Sequence, residues 1–275
     1  MNEWAGWIGR ETVATDVLTA GLLTRFRATL DSAAAAAGIH WCLCLPDAPM
    51  ALLGPDGHPQ RGGDLPPIVL PRRMWAASQV QFHAPLATGA QISRRSVIAA
   101  ITAKTGATGP LVFAEIDHET RADGVLAVSE RQTLVYRDTG AAPAPPPPPP
   151  PGPWDWQREV TPDAALLFRY AALTFNSHRI HYDLPYATAV EGYRGLVVQG
   201  PLMATLLLDL AAAAVGAERI AGLTFRGVGP AIAGEALVLA GRTEGSAIVL
   251  NACNAAGLVM TARIDLRTNQ TGDGS

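Results

Sequence analysis

Gln199-Gly-Pro-Leu-Met-Ala-Thr-Leu-Leu-Leu-Asp209-Leu-Ala-Ala-Ala-Ala-Val215-Gly216 contains the longest apolar stretch of the 275-residue chain, interrupted by one acid. Gly200 and Pro201 open it. Proline suits a first helical turn, where its missing N–H costs nothing. Gly216 stands where helices end. The spacing predicts a helix over 202–215. Apolar side chains cover nearly every face of it, so it is expected to be buried rather than amphipathic. It falls short of the roughly 20 residues that a membrane span needs.

Strand signals surround this helix. Phe225-Arg-Gly-Val-Gly-Pro230-Ala-Ile-Ala-Gly234 reads as strand, Pro-x-x-x-Gly turn, strand. Apolar alternation continues over 236–242, 247–252 and 258–266, with Gly241 and Gly245 marking turns. The same order occurs earlier. Phe82-His-Ala-Pro85-Leu-Ala-Thr-Gly89 is followed by 92–103, 111–117 and 125–136, with Gly106 and Gly109 between. Such patterns predict antiparallel meanders in two halves related by a weak internal repeat. A buried helix wrapped by a long antiparallel sheet describes a hotdog fold, α+β in class and here doubled. The first half offers only a helical stretch at 16–30 and an alanine run at 33–37. It is expected to be a degenerate copy whose helix is shortened or lost.

Between the halves lies AAPAPPPPPPPGP, residues 141–153, with seven consecutive prolines at 145–151. Lacking N–H donors and with φ fixed, these predict a polyproline II rod of roughly 22 Å. The expected organisation is therefore 1–140, a linker at 141–153, 154–267, and a flexible tail at 268–275. An SH3-type ligand is the other reading of the proline run.

Composition excludes several functions. Lys+Arg is 21 and Asp+Glu is 24, so the net charge is -3 and no basic excess awaits nucleic acid. Charged residues are only 16% and hydrophobic ones 48%, which allows a sizeable core and suggests apolar surface buried between subunits of a homodimer or higher homo-oligomer. Cys42, Cys44 and Cys253 cannot build a disulfide framework. The apolar run 39–45 reads as a strand with Cys42 and Cys44 as buried thiols on one face. No glycine-rich dinucleotide loop or metal-ligand spacing occurs, so neither cofactor nor metal is expected. The N-terminus has Glu3 and no apolar core of a secretory signal, so a cytoplasmic protein is expected, with no membrane segment.

Chemistry concentrates in Tyr170-Ala-Ala-Leu-Thr-Phe-Asn176-Ser-His178-Arg179-Ile-His181-Tyr-Asp183. It follows a predicted short helix, 162–173, capped near Thr161. Any one histidine here could be a satisfied structural residue, and Asn176 or His178 could serve a turn. The cluster, however, lies just upstream of Gln199-Gly200-Pro201. Backbone N–H groups at a helix N-terminus favour negative charge. A histidine base facing them is what proton transfer beside a carbonyl requires.

The run Leu173-Thr-Phe-Asn-Ser-His-Arg-Ile-His181 resembles the motif of the hydratase-2, or MaoC-like, dehydratases. Residues 176–183 and 195–207 look closer to the subgroup of itaconyl-CoA and mesaconyl-CoA hydratases and mitochondrial-type 3-hydroxyacyl-thioester dehydratases. So do Leu53-Gly-Pro-Asp-Gly-His-Pro-Gln-Arg-Gly-Gly63 and Leu70-Pro-Arg-Arg-Met-Trp-Ala76. The resemblance covers nearly the whole chain outside the proline run and the tail. It implies a double hotdog acting on acyl-thioesters without a cofactor. The family's Asp and His, five apart, fall on Asn176 and His181. The Asp is thus replaced by an amide that cannot take a proton but can orient water. His181 becomes the general base; Asp183, His178 and Arg179 are accessory candidates, with Asp183 either helping the base or serving structure. The carbonyl donor maps to the backbone N–H of Gly200. The first half is expected to supply the acyl pocket in the room left by its missing helix, lined by Arg72, Arg73, Met74 and Trp75, with Gln199 also binding substrate. Either arginine could grip a carboxylate in two places or be a solvated edge charge. The resemblance implies hydration of a short enoyl-CoA, itaconyl-CoA or mesaconyl-CoA to citramalyl-CoA. A 3-hydroxyacyl-thioester dehydratase of fatty-acid metabolism and a non-catalytic acyl-CoA-binding subunit remain the other readings.

Overall fold

The computed structural model describes residues 3–32, 37–106, 109–138 and 146–267. Five strands come from the first half: β1 (Glu11–Val17), β2 (Arg72–Phe82), β3 (Gln91–Gly106), β4 (Gly109–Ala122) and β5 (Val125–Arg137). Five come from the second: β6 (Trp156–Val160), β7 (Ile220–Gly227), β8 (Leu237–Glu244), β9 (Ala247–Asn254) and β10 (Gly257–Leu266). They form one antiparallel sheet in the order β1-β3-β4-β5-β2-β7-β10-β9-β8-β6. Read inward from each edge, the halves repeat one topology and meet where β2 pairs β7, with Ser78 opposite Phe225. This is the double hotdog, and the sequence rhyme at Pro85–Gly89 and Pro230–Gly234 marks equivalent turns after β2 and β7.

Helix α3 (Gly200–Val215) is the buried helix. Every residue from Leu202 to Ala211 is buried, against strands β7 to β10 with β2 and β6 beside them. Asp209, buried at 6% exposure, needs partners. Arg158 of β6 supplies an ion pair at 2.8 Å, and Ser32 donates a hydrogen bond at 2.6 Å. No helix among the described residues is long and apolar enough to cross a membrane.

Several local expectations need correction. Helix α1 (Ala20–Leu30) is capped by Thr19, whose Oγ1 accepts the Leu22 N–H at 3.1 Å. Residues 16 and 17 belong to β1 instead. The first-half helix is therefore shortened, not lost, and packs on α2 (Ala164–Leu173) with Phe26 fully buried. Nor is the first half left empty. Ile68, on the chain leading to β2, is fully buried among Ile98, Ile101, Val112, Ile116 and Tyr136. The run 39–45 is no strand: Ile39–Cys42 make a 3-10 turn, and Cys44 has φ 51°. Ile39, Trp41, Cys42 and Leu43 are all buried, and burial of consecutive side chains suits a turn inside the core better than an alternating strand. Cys42, Cys44 and Cys253 are free thiols, Cys42 buried and the others half-buried. Helix α2 is capped by Asp163, not Thr161.

The proline segment is anchored along the second half. Pro147 O accepts the Leu258 N–H at 2.8 Å, and Pro151 O accepts from Arg242 at 3.4 Å. Residues 139–145 and the tail at 268–275 lie outside the described residues, as does most of the alanine run.

Candidate active site

The histidine segment between α2 and α3 is folded by its own polar groups. Asn176 Oδ1 accepts the His178 backbone N–H at 3.0 Å, which turns the chain after α2. Residues Arg179–His181 form one 3-10 turn. Val197 N–H then bonds Ile180 O at 3.0 Å, and Val198 N–H bonds Ala231 O at 2.9 Å. This short extended stretch brings the start of α3 beside the histidines.

His181 is buried, and its Nδ1 lies 2.7 Å from Val197 O. A carbonyl only accepts, so Nδ1 carries the proton and Nε2 keeps its lone pair. Among the described residues Nε2 has no hydrogen-bond partner, and it is not sealed off from solvent. Burial pushes the imidazole down to about 4, against the opposing pull of the Val197 carbonyl. It is a neutral base at neutral pH.

Val197 lies three residues before Gly200, the first residue of α3. No side chain caps this helix, and Pro201 contributes no donor. The Gly200 N–H is thus an uncapped donor at a helix N-terminus. A Cβ at position 200 would meet the Trp75 carbonyl at 3.6 Å, an ordinary contact. Protein sterics alone therefore do not demand glycine there. Gln199, expected at the substrate, is buried and donates from Nε2 to Leu167 O at 3.0 Å, tying α3 to α2, while its Oε1 has no hydrogen-bond partner among the described residues.

A second chain segment enters from the first half. Residues 53–60 form a tight loop, closed by Gly54 N–H to His58 O at 2.7 Å. The loop is locked onto the histidine segment. Arg179 N–H bonds Asp56 O at 2.9 Å, Ser177 Oγ bonds Gly57 O at 2.5 Å, and Arg179 Nη1 bonds Pro55 O at 3.0 Å. Gly57 has φ 85°, and a Cβ there would lie 1.9 Å from Ser177 O. Gly57→Ala is therefore expected to undock the loop and cost more than about 1 kcal/mol. A denaturant midpoint equal to wild type would contradict this docking.

The loop delivers Asp56 and His58. His58 Nδ1 lies 3.0 Å from Asp56 Oδ2. The His58 ring lies 4.0 Å from that of His178, which in turn stands edge-on to His181 at 5.4 Å. Burial keeps His58 below its usual range, with Asp56 opposing. Burial, then the neighbouring imidazoles, push His178 down to about 2. Burial would raise Asp56, but hydrogen bonds and charge from His58 hold it well below the usual carboxylate range.

These shifts set a pH dependence of stability. Unfolded histidines titrate near 6.5. His58, His178 and His181, with His40 and His118 in the first half, all titrate lower when folded. The unfolded chain then binds more protons at acid pH, so stability should fall as pH drops from about 6.5 toward 4. Denaturant midpoints measured across that window would test it, and a flat series would contradict it.

The two arginines of β2 part company. Arg72 is buried, its Nε 3.1 Å from Glu191 Oε2, and it also donates to Glu191 O. Its charge is already met. Arg73 has no carboxylate partner among the described residues and lies within electrostatic reach of His58, His178 and Tyr136. Met74 receives a long contact from Tyr193 Oη at 4.0 Å. Trp75 donates Nε1 to Ser78 Oγ at 2.8 Å, and Ser78 donates to the buried Glu130 at 2.6 Å. Asp183 pairs with Arg179 at 2.7 Å and caps the Tyr186 N–H at 3.1 Å, while Arg179 also stacks on Tyr186. Both serve local structure.

The structure thus sets His178 edge-on to His181, holds His181 on Val197 three residues before Gly200, and leaves Arg73 within electrostatic reach of His178, and it adds Asp56 and His58, which the sequence had not assigned. Their signal was an Asp-x-His pair in a Gly/Pro-rich turn, 120 residues before its partner. Asp56, His58 and His178 also have ligand atoms within 4.8 Å of one another, which local sequence spacing did not reveal.

Comparison with known proteins is consistent in one direction. The family model described as hydroxyacyl-thioester dehydratase type 2 matches residues 38–233. A protein of Chloroflexus aurantiacus named mesaconyl-C(4)-CoA hydratase is 42% identical over 262 residues, 91% of this chain and 92% of that one. A MaoC-like dehydratase from Phytophthora capsici superposes with a TM-score of 0.70 at 14% identity, covering 97% of this chain and 98% of that one. A Mycobacterium tuberculosis protein described as having a double hotdog fold gives 0.57 at 15% identity, covering 94% and 96%. At these identities the solved structures bear on the fold alone.

Proposed function

Because the chain belongs to the hydroxyacyl-thioester dehydratase type 2 family, a family of hydro-lyases, we propose that it hydrates a short enoyl-CoA whose acyl group bears a free carboxylate. The mesaconyl thioester, giving citramalyl-CoA, is the substrate that the 42% identical relative supports. The observation that carries the reaction is the His181 Nδ1 bond to Val197 O, three residues before the start of α3, which leaves Nε2 with its lone pair free.

In this scheme the thioester carbonyl accepts from the Gly200 N–H. His181 Nε2 takes a proton from water as the water oxygen bonds to Cβ. The π electrons move through Cα onto the carbonyl oxygen, where the helix N-terminus stabilises the charge. The enolate then collapses, and the His181 imidazolium returns its proton to Cα. Water is consumed, and no other reactant is needed.

The carboxylate preference rests on Arg73. In a mesaconyl group the free carboxylate hangs on Cβ, the carbon that water attacks. Its partner must therefore lie near the base, not deep in an acyl tunnel. Arg73, without a carboxylate partner among the described residues and within electrostatic reach of His58 and His178, suits that place. Arg72, committed to Glu191, does not.

Incubating the purified protein with a panel of short enoyl-CoAs in deuterium oxide tests the reaction class. The expected product from a mesaconyl thioester carries the hydroxyl on Cβ and one deuterium on Cα. Failure to hydrate any member of the panel would contradict the proposal.

A further inference from the structure

The hydration scheme leaves Asp56 and His58 without a task, yet the fold spends three hydrogen bonds and an obligatory glycine to hold them against the histidine segment. A nucleophilic water has two O–H groups. One proton is lost to the base, and the other needs an acceptor that fixes the oxygen's lone pair on Cβ. Asn176 Oδ1 already takes the His178 N–H at 3.0 Å, which leaves at most one of its two lone pairs for water. His58, stacked at 4.0 Å on the His178 ring that stands edge-on to His181, offers such an acceptor. Asp56 Oδ2 holds Nδ1 at 3.0 Å, which leaves Nε2 as the acceptor, and among the described residues Nε2 has no hydrogen-bond partner and is not sealed from solvent.

We propose that the Asp56–His58 pair, delivered by the first half of the chain, is the second water-holding acceptor of this site and does the work of the carboxylate that position 176 lacks. The proposal rests on the hydratase reading above. His58 accepts a hydrogen bond and takes no proton, so the balance of the reaction is unchanged: the proton removed by His181 ends on Cα. Asp56 acts through His58 and is a positioning residue. A divalent cation on Asp56, His58 and His178 is the competing use of these groups. Against it, Asp56 Oδ2 is already occupied by His58, and Arg73 and Arg61 place positive charge nearby.

The test is compensation. His58→Gln in the full chain should lower kcat by about 10²-fold, the lower end of what positioned proton-transfer groups contribute, with little change in KM. Adding Asn176→Asp to that variant restores a carboxylate at the vacant position and should recover activity by about tenfold or more. Asp56→Asn should show a smaller loss in kcat, rescued in the same way. A merely structural role for the loop would lower the denaturant midpoint and would not respond to the carboxylate at 176. Wild-type kcat in a folded His58→Gln protein, or a loss that Asn176→Asp leaves untouched, would overturn the proposal. So would inactivation of the wild type by a chelator with recovery on added Zn²⁺ or Mn²⁺. His181→Ala, assayed in parallel, separates the two levels: turnover surviving there would sink the hydratase reading itself.

Discussion

His181→Ala is expected to lower kcat by about 10²- to 10⁴-fold, the usual contribution of a positioned general base, while KM changes little. The expectation follows from the geometry at both ring nitrogens. Nδ1 is fixed by Val197 O at 2.7 Å, so the lone pair on Nε2 is permanent and directed. Burial holds the group down to about 4, so it is ready to accept a proton throughout the neutral range. Removing the ring also orphans the Val197 carbonyl, which costs about 1–3 kcal/mol of stability if no water replaces it. His181→Asn controls for that cost, because its amide N–H can still reach the carbonyl while offering no base. Both variants should lose kcat, and only the alanine should lose much stability. In the wild type, kcat should be flat around neutral pH and fall as pH approaches 4, where the imidazole protonates. Near-wild-type turnover in a folded alanine variant would remove His181 from the mechanism.

The second large effect separates the adjacent arginines. Arg73→Met should lower kcat/KM for a mesaconyl thioester by roughly 30-fold to several thousand-fold, with far less effect on crotonyl-CoA. The range corresponds to the 2–5 kcal/mol typical of truncating one partner of a desolvated charge pair, at about 1.4 kcal/mol per tenfold. Arg72→Met should behave differently. Arg72 and Glu191 are each about 10% exposed at the side chain and paired at 3.1 Å. Removing the arginine strands a buried carboxylate, which typically costs about 3–5 kcal/mol of stability. Its signature is a lowered denaturant midpoint, with the ratio between the two substrates preserved in the protein that remains folded. If Arg72→Met rather than Arg73→Met collapsed the preference, the carboxylate would be bound on the other side of β2.

What could be read in the sequence was whatever depends on local periodicity. Helix α3 stands out because a continuous apolar run with proline at its start and glycine at its end has few other solutions. The two meanders were legible because their turns carry glycine or proline at matching positions. Residues 39–45 misled because apolar composition alone does not distinguish a strand from a turn sunk in the core, and burial of Trp41 and Leu43 decided the latter. The site was half legible. His181 and Gly200 lie in one short region, and a motif links them. Asp56 and His58 reach the same place only because the loop at 53–60 docks on residues 177–179, a tertiary contact that no local pattern encodes. The different fates of Arg72 and Arg73 were likewise hidden. Neighbouring residues on a strand face opposite ways, but only the position of Glu191 reveals which charge is already neutralised.

The most direct measurement is kcat/KM of the unmodified protein for a mesaconyl thioester of CoA and for crotonyl-CoA, which is similar in size but lacks the second carboxylate. With Arg73 left without a carboxylate partner by crotonyl-CoA, the mesaconyl thioester should be preferred by at least about 30-fold, on the 2 kcal/mol lower bound for a truncated charge pair. Equal or faster hydration of crotonyl-CoA would contradict the account and leave a general acyl-thioester dehydratase in its place.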